Sequence, residues 1–139
     1  MLQLVYVSNA VRAFTDDQLR DLLTKARAKN TSLNITGMLL HQDGAFLQML
    51  EGEAAAVDSL FTRICGDGRH KAITMLVRTE VGGRTFSDWS MGFTDVKGSA
   101  KKLLGYRHIG DLAGLVGDVR EIERVVRAFR DGRWQRRAA

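Results

Sequence analysis

Three polar side chains lie in stretches of the sequence where apolar residues would be expected. Gln48 interrupts the apolar run at residues 45–50, Tyr6 lies among aliphatic residues, and Asn30 follows a helical pattern of leucines. A buried amide or phenol must find hydrogen-bond partners, because an unsatisfied polar group in an apolar interior costs free energy. These side chains are therefore candidates for binding a polar group. The alternatives are a glutamine bonded to neighbouring backbone, a core tyrosine and a helix cap.

Motifs for hydrolysis or metal catalysis do not occur in the sequence. It has no GxSxG, P-loop, HExxH or CxxC pattern, and its histidines are scattered with no helical pair for a metal. Glu51 and Glu53 are close in sequence at the end of a predicted strand, where we expect them to cap the following helix. The single cysteine, Cys65, allows no internal disulfide. A hydrolase or metalloenzyme therefore has little support, and we expect no metal.

Length and charge set the broad class. The 139 residues, 45% of them hydrophobic, suffice for one domain with a core. No signal peptide and no run of about 20 apolar residues is evident, so we expect a cytoplasmic protein. Residues 97–139 hold 11 Lys/Arg against 5 Asp/Glu, whereas residues 1–96 are balanced. A basic tail can attract nucleic acid, an anionic membrane or an acidic protein, but it can also be a solvated helix with an arginine-rich end.

The hydrophobic pattern predicts the elements that position these side chains. Thr15 and Gln18 have the spacing of a capping box, which begins a helix that we expect to end at Asn30. The Asp43-Gly44 pair between two apolar runs predicts a hairpin with a type I′ turn. Strands are predicted at residues 2–8, 35–41, 45–50, 73–81 and 90–95, and helices at 16–30, 53–65, 99–104 and 118–131.

This order predicts an α+β fold. The first six elements form a ferredoxin-like βαββαβ pattern with two helices on one sheet face, and a fifth strand and C-terminal helices are added. The first and third strands are then central neighbours, which would bring Tyr6 close to Gln48. We assign residues 1–96 to the core and residues 97–139 to a helical extension of the same domain. The predicted inner face of the last helix comprises Val119, Ile122, Val126 and Phe129, with Val125 beside them.

Five segments of the chain resemble the BLUF family of blue-light sensors. They are Tyr6-Val7-Ser8, the NITGMLL run at 34–40, the GAFLQMLEG run at 44–52, the DGRH run at 67–70 and the WSMGF run at 89–93. The match covers residues 2–95 in order and spacing. Two positions depart from the pattern: Asn34 replaces a frequent glycine, which a positive φ at Asn tolerates, and Lys29 replaces a second polar residue.

The resemblance implies a non-covalently bound flavin between the two helices, FAD first and FMN as the alternative. Leu22 and Ile64 would pack against the ring, although both could simply pack on the sheet. Asn30 would bond the polar edge of the ring, with Arg63 and Asp67 toward its pyrimidine side. Lys29, Arg69 and His70 would reach the ring edge or the phosphate tail, or else be exposed charge. The photoactive residues implied are Tyr6, Gln48, Trp89 and Met91, of which the last two could equally be core residues.

The resemblance also implies a photoreceptor rather than a turnover enzyme. Tyr6 would give an electron and a proton to the excited flavin and recover them, while Gln48 rotates or tautomerises so that a donor replaces an acceptor. The output would pass through residues 97–139 to a partner protein, and the chain would form a homodimer or a larger oligomer. One alternative is a ferredoxin-like nucleic-acid-binding module that uses the basic tail and Trp134. Another is a small flavin-dependent or acyl-transfer enzyme, for which no nucleophile is evident.

Overall fold

The computed structural model describes residues 1–86, 91–95 and 109–131. The predicted helix at 99–104, together with Trp89 and Trp134, lies outside these residues. The elements in chain order are β1 (Leu2–Ala10), α1 (Asp16–Ser32), β2 (Thr36–Gln42), β3 (Ala45–Gly52), α2 (Ala54–Cys65), β4 (His70–Glu80), β5 (Gly92–Asp95), a 3-10 helix (Ile109–Leu115) and α3 (Val119–Arg130).

The strands form one sheet in the order β4-β1-β3-β2-β5. β1 pairs antiparallel with both β3 and β4, β2 pairs antiparallel with β3, and β5 is added in parallel to β2. This is the predicted ferredoxin-like arrangement with an added fifth strand. Tyr6 on β1 lies directly opposite Gln48 on β3, so the predicted neighbourhood of these two residues is confirmed.

The sheet separates two apolar layers, because successive side chains along a strand point to opposite faces. On the first face, called here the α1–α2 face, Leu4, Tyr6 and Phe46 pack with Leu23 of α1 and Val57 of α2. On the second, the α3 face, the strands pack against the 3-10 helix and α3 through Val5, Met38, Leu47, Met49, Ile109, Leu112, Ile122, Val125 and Val126. The C-terminal elements thus cover the side of the sheet opposite α1 and α2.

Local sequence signals explain both ends of α1. The capping box is confirmed: the Gln18 amide N–H donates to the Thr15 hydroxyl at 3.1 Å, and the Thr15 N–H donates to the Gln18 side chain at 2.9 Å. The predicted end at Asn30 is wrong, because the helix continues to Ser32. The carbonyl of Asn30 instead accepts the N–H of Ile35 at 2.8 Å, and Asn34 makes the turn into β2 with a φ of 54°.

The β2–β3 hairpin follows its turn residues. Asp43 and Gly44 have φ values of 48° and 84°, as a type I′ turn requires. Of the two glutamates expected to cap α2, Glu53 lies at the N-cap position and Glu51 does not. Glu53 precedes α2 but makes no side-chain cap. Glu51 lies inside β3, fully buried, and accepts the N–H groups of Thr85 and Phe86 at 2.8 and 2.6 Å.

The buried face of α3 differs from the predicted one at its start. Val119, the first residue of the helix, is 45% exposed, whereas Ile122, Val125, Val126 and Ala128 are buried. Val119 therefore does not belong to the inner face. None of the described helices is long and apolar enough to cross a membrane.

Candidate functional site

A cavity of about 200 Å³ lies between α1, α2 and the α1–α2 face of the sheet. Its apolar walls come from both helices and from β2 and β3, and polar side chains complete the lining. The lining residues are Tyr6, Leu22, Lys25, Ala26, Lys29, Asn30, Leu39, Phe46, Gln48, Leu60, Ile64, Asp67, Arg69 and His70.

Most of the residues implied as flavin contacts meet in this cavity. Arg63 is the one that does not line it: the residue is exposed on α2, about 100° around the helix from Ile64. Met91 lies next to the cavity, buried on the same face of the sheet. Five lining residues were not predicted from the sequence: Lys25, Ala26, Leu39, Phe46 and Leu60. Two of these had a signal, since Leu39 pairs with Gln48 across β2 and β3 and Phe46 shares the face of Gln48 at a spacing of two residues.

The central polar contact is the hydrogen bond that the Tyr6 hydroxyl donates to the Gln48 side-chain oxygen Oε1. Both residues are buried, and the Tyr6 ring packs against Phe61 with the ring centroids 5.3 Å apart. Burial raises the pKa of Tyr6 far above its ordinary value, with smaller contributions from Cys65 and Asp67. The phenol is therefore protonated in the resting protein, and its proton points at the amide.

Among the described residues, the amide nitrogen of Gln48 makes only a weak hydrogen bond. Its nearest acceptor among the described residues is the sulfur of Met91 at 3.6 Å, and a thioether is a weak acceptor. An amide nitrogen carries two donor hydrogens, and a buried donor without a good acceptor is costly. The Gln48 amide is thus prepared to donate to an acceptor atom of a molecule held in the cavity.

The mouth of the cavity, where its lining reaches the surface, carries an ion pair between Asp67 and Arg69, whose side chains are 27% and 52% exposed. The guanidinium of Arg69 donates to both carboxylate oxygens of Asp67, at 3.1 Å from Nε and 2.6 Å from Nη2. These bonds lower the pKa of Asp67 to about 2, so the carboxylate remains charged. The fork geometry of a bidentate pair fixes both side chains in space, which holds a polar edge beside the apolar walls.

His70 lines the cavity and also contacts other residues of the sheet. Its ring contacts Phe46 and Phe14, with centroid distances of 5.2 and 6.3 Å. Its Nδ1 lies 3.3 Å from the Ser8 hydroxyl. Burial lowers the pKa of His70, with an opposing effect of Asp67. The imidazole is therefore neutral near neutral pH and can accept or donate one hydrogen bond.

These features fit a flavin ring. A flat aromatic ring needs apolar walls on both faces, which Leu22 and Ala26 offer from α1 and Ile64 from α2. Its carbonyl and amide edge needs mixed donors and acceptors, which Asn30 and Gln48 offer. The cavity is smaller than the roughly 300–1,000 Å³ usual for drug-sized ligands, so it is matched to a ring system rather than to a whole dinucleotide.

Comparisons with known proteins agree with this fit. A model of the family described as BLUF, sensors of blue-light using FAD, matches residues 1–92. An alpha-like subunit of photoactivated adenylate cyclase from Euglena gracilis is 44% identical over 73 residues, which cover 52% of this chain and 7% of that protein. The beta subunit from the same organism is 36% identical over 89 residues, covering 63% of this chain and 10% of that protein. The matched segment is thus a small part of these relatives.

Solved structures have the same fold. BlrB, a BLUF protein in its dark state, is 31% identical with a TM-score of 0.71, and the match covers 92% of this chain and 96% of BlrB. BlrP1 from Klebsiella pneumoniae, with FMN and cyclic diGMP, is 30% identical with a TM-score of 0.68, covering 97% of this chain and 36% of BlrP1. The family model, the shared fold and the cavity agree, and the chain belongs to the BLUF family of flavin-binding blue-light photoreceptors.

Proposed function

We propose that the photochemistry of this chain depends on Tyr6 and Gln48. A flavin held in the cavity would supply blue-light absorption and an acceptor for one electron. Tyr6 would pass an electron and its phenolic proton to the excited flavin and then take both back, so that no net reaction remains and only the reorientation of Gln48 persists until it relaxes in the dark. The observation that carries the proposal is the buried hydrogen bond from Tyr6 to Gln48 Oε1 at the wall of the cavity.

Reorientation of Gln48 is the second part of the proposal. The amide loses its bond from Tyr6 during the transfer, and its other hydrogen bond within the described residues is the weak contact to Met91. Rotation or tautomerisation can then present a donor where an acceptor lay before. A stronger hydrogen bond to a ring carbonyl stabilises the excited state more than the ground state. The expected signature is a small red shift of the absorption band.

The test is the absorption spectrum of the flavin-loaded protein in the dark and after blue light. The wild type should shift slightly to the red and relax in darkness. Tyr6→Phe should still bind flavin but lose the long-lived shifted state, because phenylalanine has no proton to transfer. Tyr106→Phe, which changes the other tyrosine of the chain, is the matched control and should retain the shift. A normal photocycle in Tyr6→Phe would refute the mechanism.

We further propose that the flavin is FAD. A second cavity of about 570 Å³ adjoins the first through Arg69 and is lined also by Arg12, Phe14, Gln18 and Asp21. Its size and its cationic groups suit a phosphate tail and a nucleotide, which FMN would leave largely unfilled. Arg12→Ala should weaken FAD binding about two- to fivefold, as expected for an exposed ion pair. Equal affinities of the wild type for FAD and FMN would contradict this choice.

We propose a light-dependent protein interaction, rather than catalytic turnover, as the output, with the chain acting as a homodimer or larger oligomer. The matched region of the cyclase relatives is only a tenth or less of their length, so their activity is not carried over. The nucleic-acid-binding alternative loses support along α3. There Arg124 and Arg127 are paired with Glu121 and Glu123 at hydrogen-bond distance, which leaves less positive charge free for phosphates.

A further inference from the structure

Arg27 on α1 makes an unusual contact beside the flavin cavity. Its guanidinium Nε donates a hydrogen bond of 3.0 Å to the backbone carbonyl of Met91. Met91 is 3% exposed, and its sulfur lies 3.6 Å from the Gln48 amide nitrogen. Arg27 is not among the residues that line the cavity, yet one residue, Met91, separates it from the photoactive amide.

Among the described residues, few hydrogen bonds other than this one hold the start of β5 in place. β5 has four residues, and among the described strands it pairs with β2, in parallel, beginning at Gly92 opposite Met38. It is therefore an edge strand, and a short edge strand has few backbone bonds to fix it. Within the described residues, the guanidinium of Arg27 is the side-chain group that ties the backbone of Met91 to a helix.

The chain before Met91 is anchored quite differently. Glu51 accepts the backbone N–H groups of Thr85 and Phe86, and Arg84 donates to the carbonyls of Asn34 and Glu51 at 2.8 and 3.0 Å. This is a multiple, partly buried set of bonds, several of them to charged groups, and such bonds are the strong ones. The one hydrogen bond from Arg27 to Met91 is easier to break than this set of bonds. We therefore expect β5 to move relative to α1 at Met91 rather than at residues 84–86.

We propose that Arg27 is a positioning residue of the photocycle, which holds Met91 against Gln48 in the resting arrangement. The inference rests on the proposed role of Gln48. The carbonyl bond fixes the start of β5, and this places the sulfur beside the amide. Reorientation of the amide breaks the sulfur contact, and the Arg27 bond then favours the return of Met91 to its place. Arg27 thus sets how fast the resting state is restored, without contacting the cofactor.

The test compares Arg27→Ala with Arg20→Ala in the flavin-loaded full chain. Arg20 lies on the same helix, and within the described residues its side chain makes an exposed ion pair with Asp17. We expect both variants to bind flavin, and Arg27→Ala to slow dark recovery about threefold to tenfold, the effect of losing one hydrogen bond from the resting state. Arg20→Ala should recover at the wild-type rate. Arg27→Lys, which retains a charged donor, should restore part of the rate.

A double-mutant cycle separates positioning from general destabilisation. If Arg27 acts through Met91, the effects of Arg27→Ala and Met91→Ala on the recovery rate are not additive, and the double variant recovers like Met91→Ala. Additive effects, or an Arg27→Ala rate equal to that of Arg20→Ala, would overturn the inference. A wild type with no light-induced shift would instead remove the proposed function itself, so the two failures are distinguishable.

Discussion

At the scale of single residues, the site keeps the phenol of Tyr6 protonated until light is absorbed. Burial raises the pKa of Tyr6, so loss of its proton in the ground state is strongly disfavoured. The hydrogen bond to Gln48 Oε1 nevertheless aligns that proton for transfer. A photoreceptor needs both properties: a phenol that does not lose its proton in the dark, and a proton that is already aligned for transfer after light absorption. The apolar surroundings that make Tyr6 and Gln48 conspicuous in the sequence therefore serve the proposed chemistry.

The neutral His70 makes stability depend on pH. Because burial lowers the pKa of its imidazole, the unfolded chain takes up the proton first as the pH falls. The contribution to stability is therefore complete above the ordinary pKa of about 6.5 and is lost as the pH falls through the lowered value. We expect the melting temperature of the flavin-loaded protein to fall on acidification, and His70→Gln to reduce that fall. An unchanged pH dependence in His70→Gln would contradict this assignment.

The functional residues were predictable to different degrees. Tyr6 and Gln48 could be found because a polar residue inside an apolar run is rare, and their pairing followed from the strand order. Glu51 could not, because its partners Thr85 and Phe86 lie more than thirty residues away in the sequence. Arg27 gave no signal either: on an amphipathic helix it looks like any exposed arginine, and only the tertiary structure brings the carbonyl of Met91 to it.

At the scale of elements, the β2–β3 hairpin is the frame of the site. β3 carries Gln48, and β2 carries Leu39 opposite it. The Asp43-Gly44 turn could be predicted because its backbone conformation needs those residue types. How closely the backbones of β2 and β3 approach each other could not be predicted from the sequence. A side chain at Gly37 would bring its Cβ within 2.0 Å of the Met49 carbonyl oxygen, which no local pattern reveals.

Gly37→Ala should therefore weaken the hairpin and the site that depends on it. The new methyl group would collide with backbone rather than with a movable side chain, so β2 must shift relative to β3. We expect a loss of about 1–3 kcal/mol or more in the free energy of unfolding, measured by urea denaturation of the flavin-loaded protein. Gly82→Ala is the matched control, since no atom of the described residues other than its chain neighbours lies within 4 Å of its Cβ position. Equal free energies of unfolding for Gly37→Ala and Gly82→Ala would show that β2 can shift relative to β3 without loss of stability.

At the scale of the whole molecule, one sheet separates the cavity from the C-terminal elements. Gln48 faces the cavity, whereas its neighbours Leu47 and Met49 on β3 pack in the cluster that contains Ile122 and Val126 of α3. A shift of β3 or β5 on one face must therefore be accommodated on the other, because a close-packed interior transmits small displacements. We propose that residues 97–139 form the output region, read by a partner protein through this packing.

Hydrogen exchange of the flavin-loaded chain tests this route directly, since adjacency alone does not prove coupling. On blue illumination we expect the amides of α3 (Val119–Arg130) to exchange faster by about twofold to thirtyfold, which corresponds to a coupling of about 0.5–2 kcal/mol. Tyr6→Phe should remove the difference, because without the switch β3 does not move. If the wild type shows its red shift while exchange in α3 is identical in light and dark, the signal leaves the molecule elsewhere, and the edge strand β5 becomes the surface on which to seek the partner.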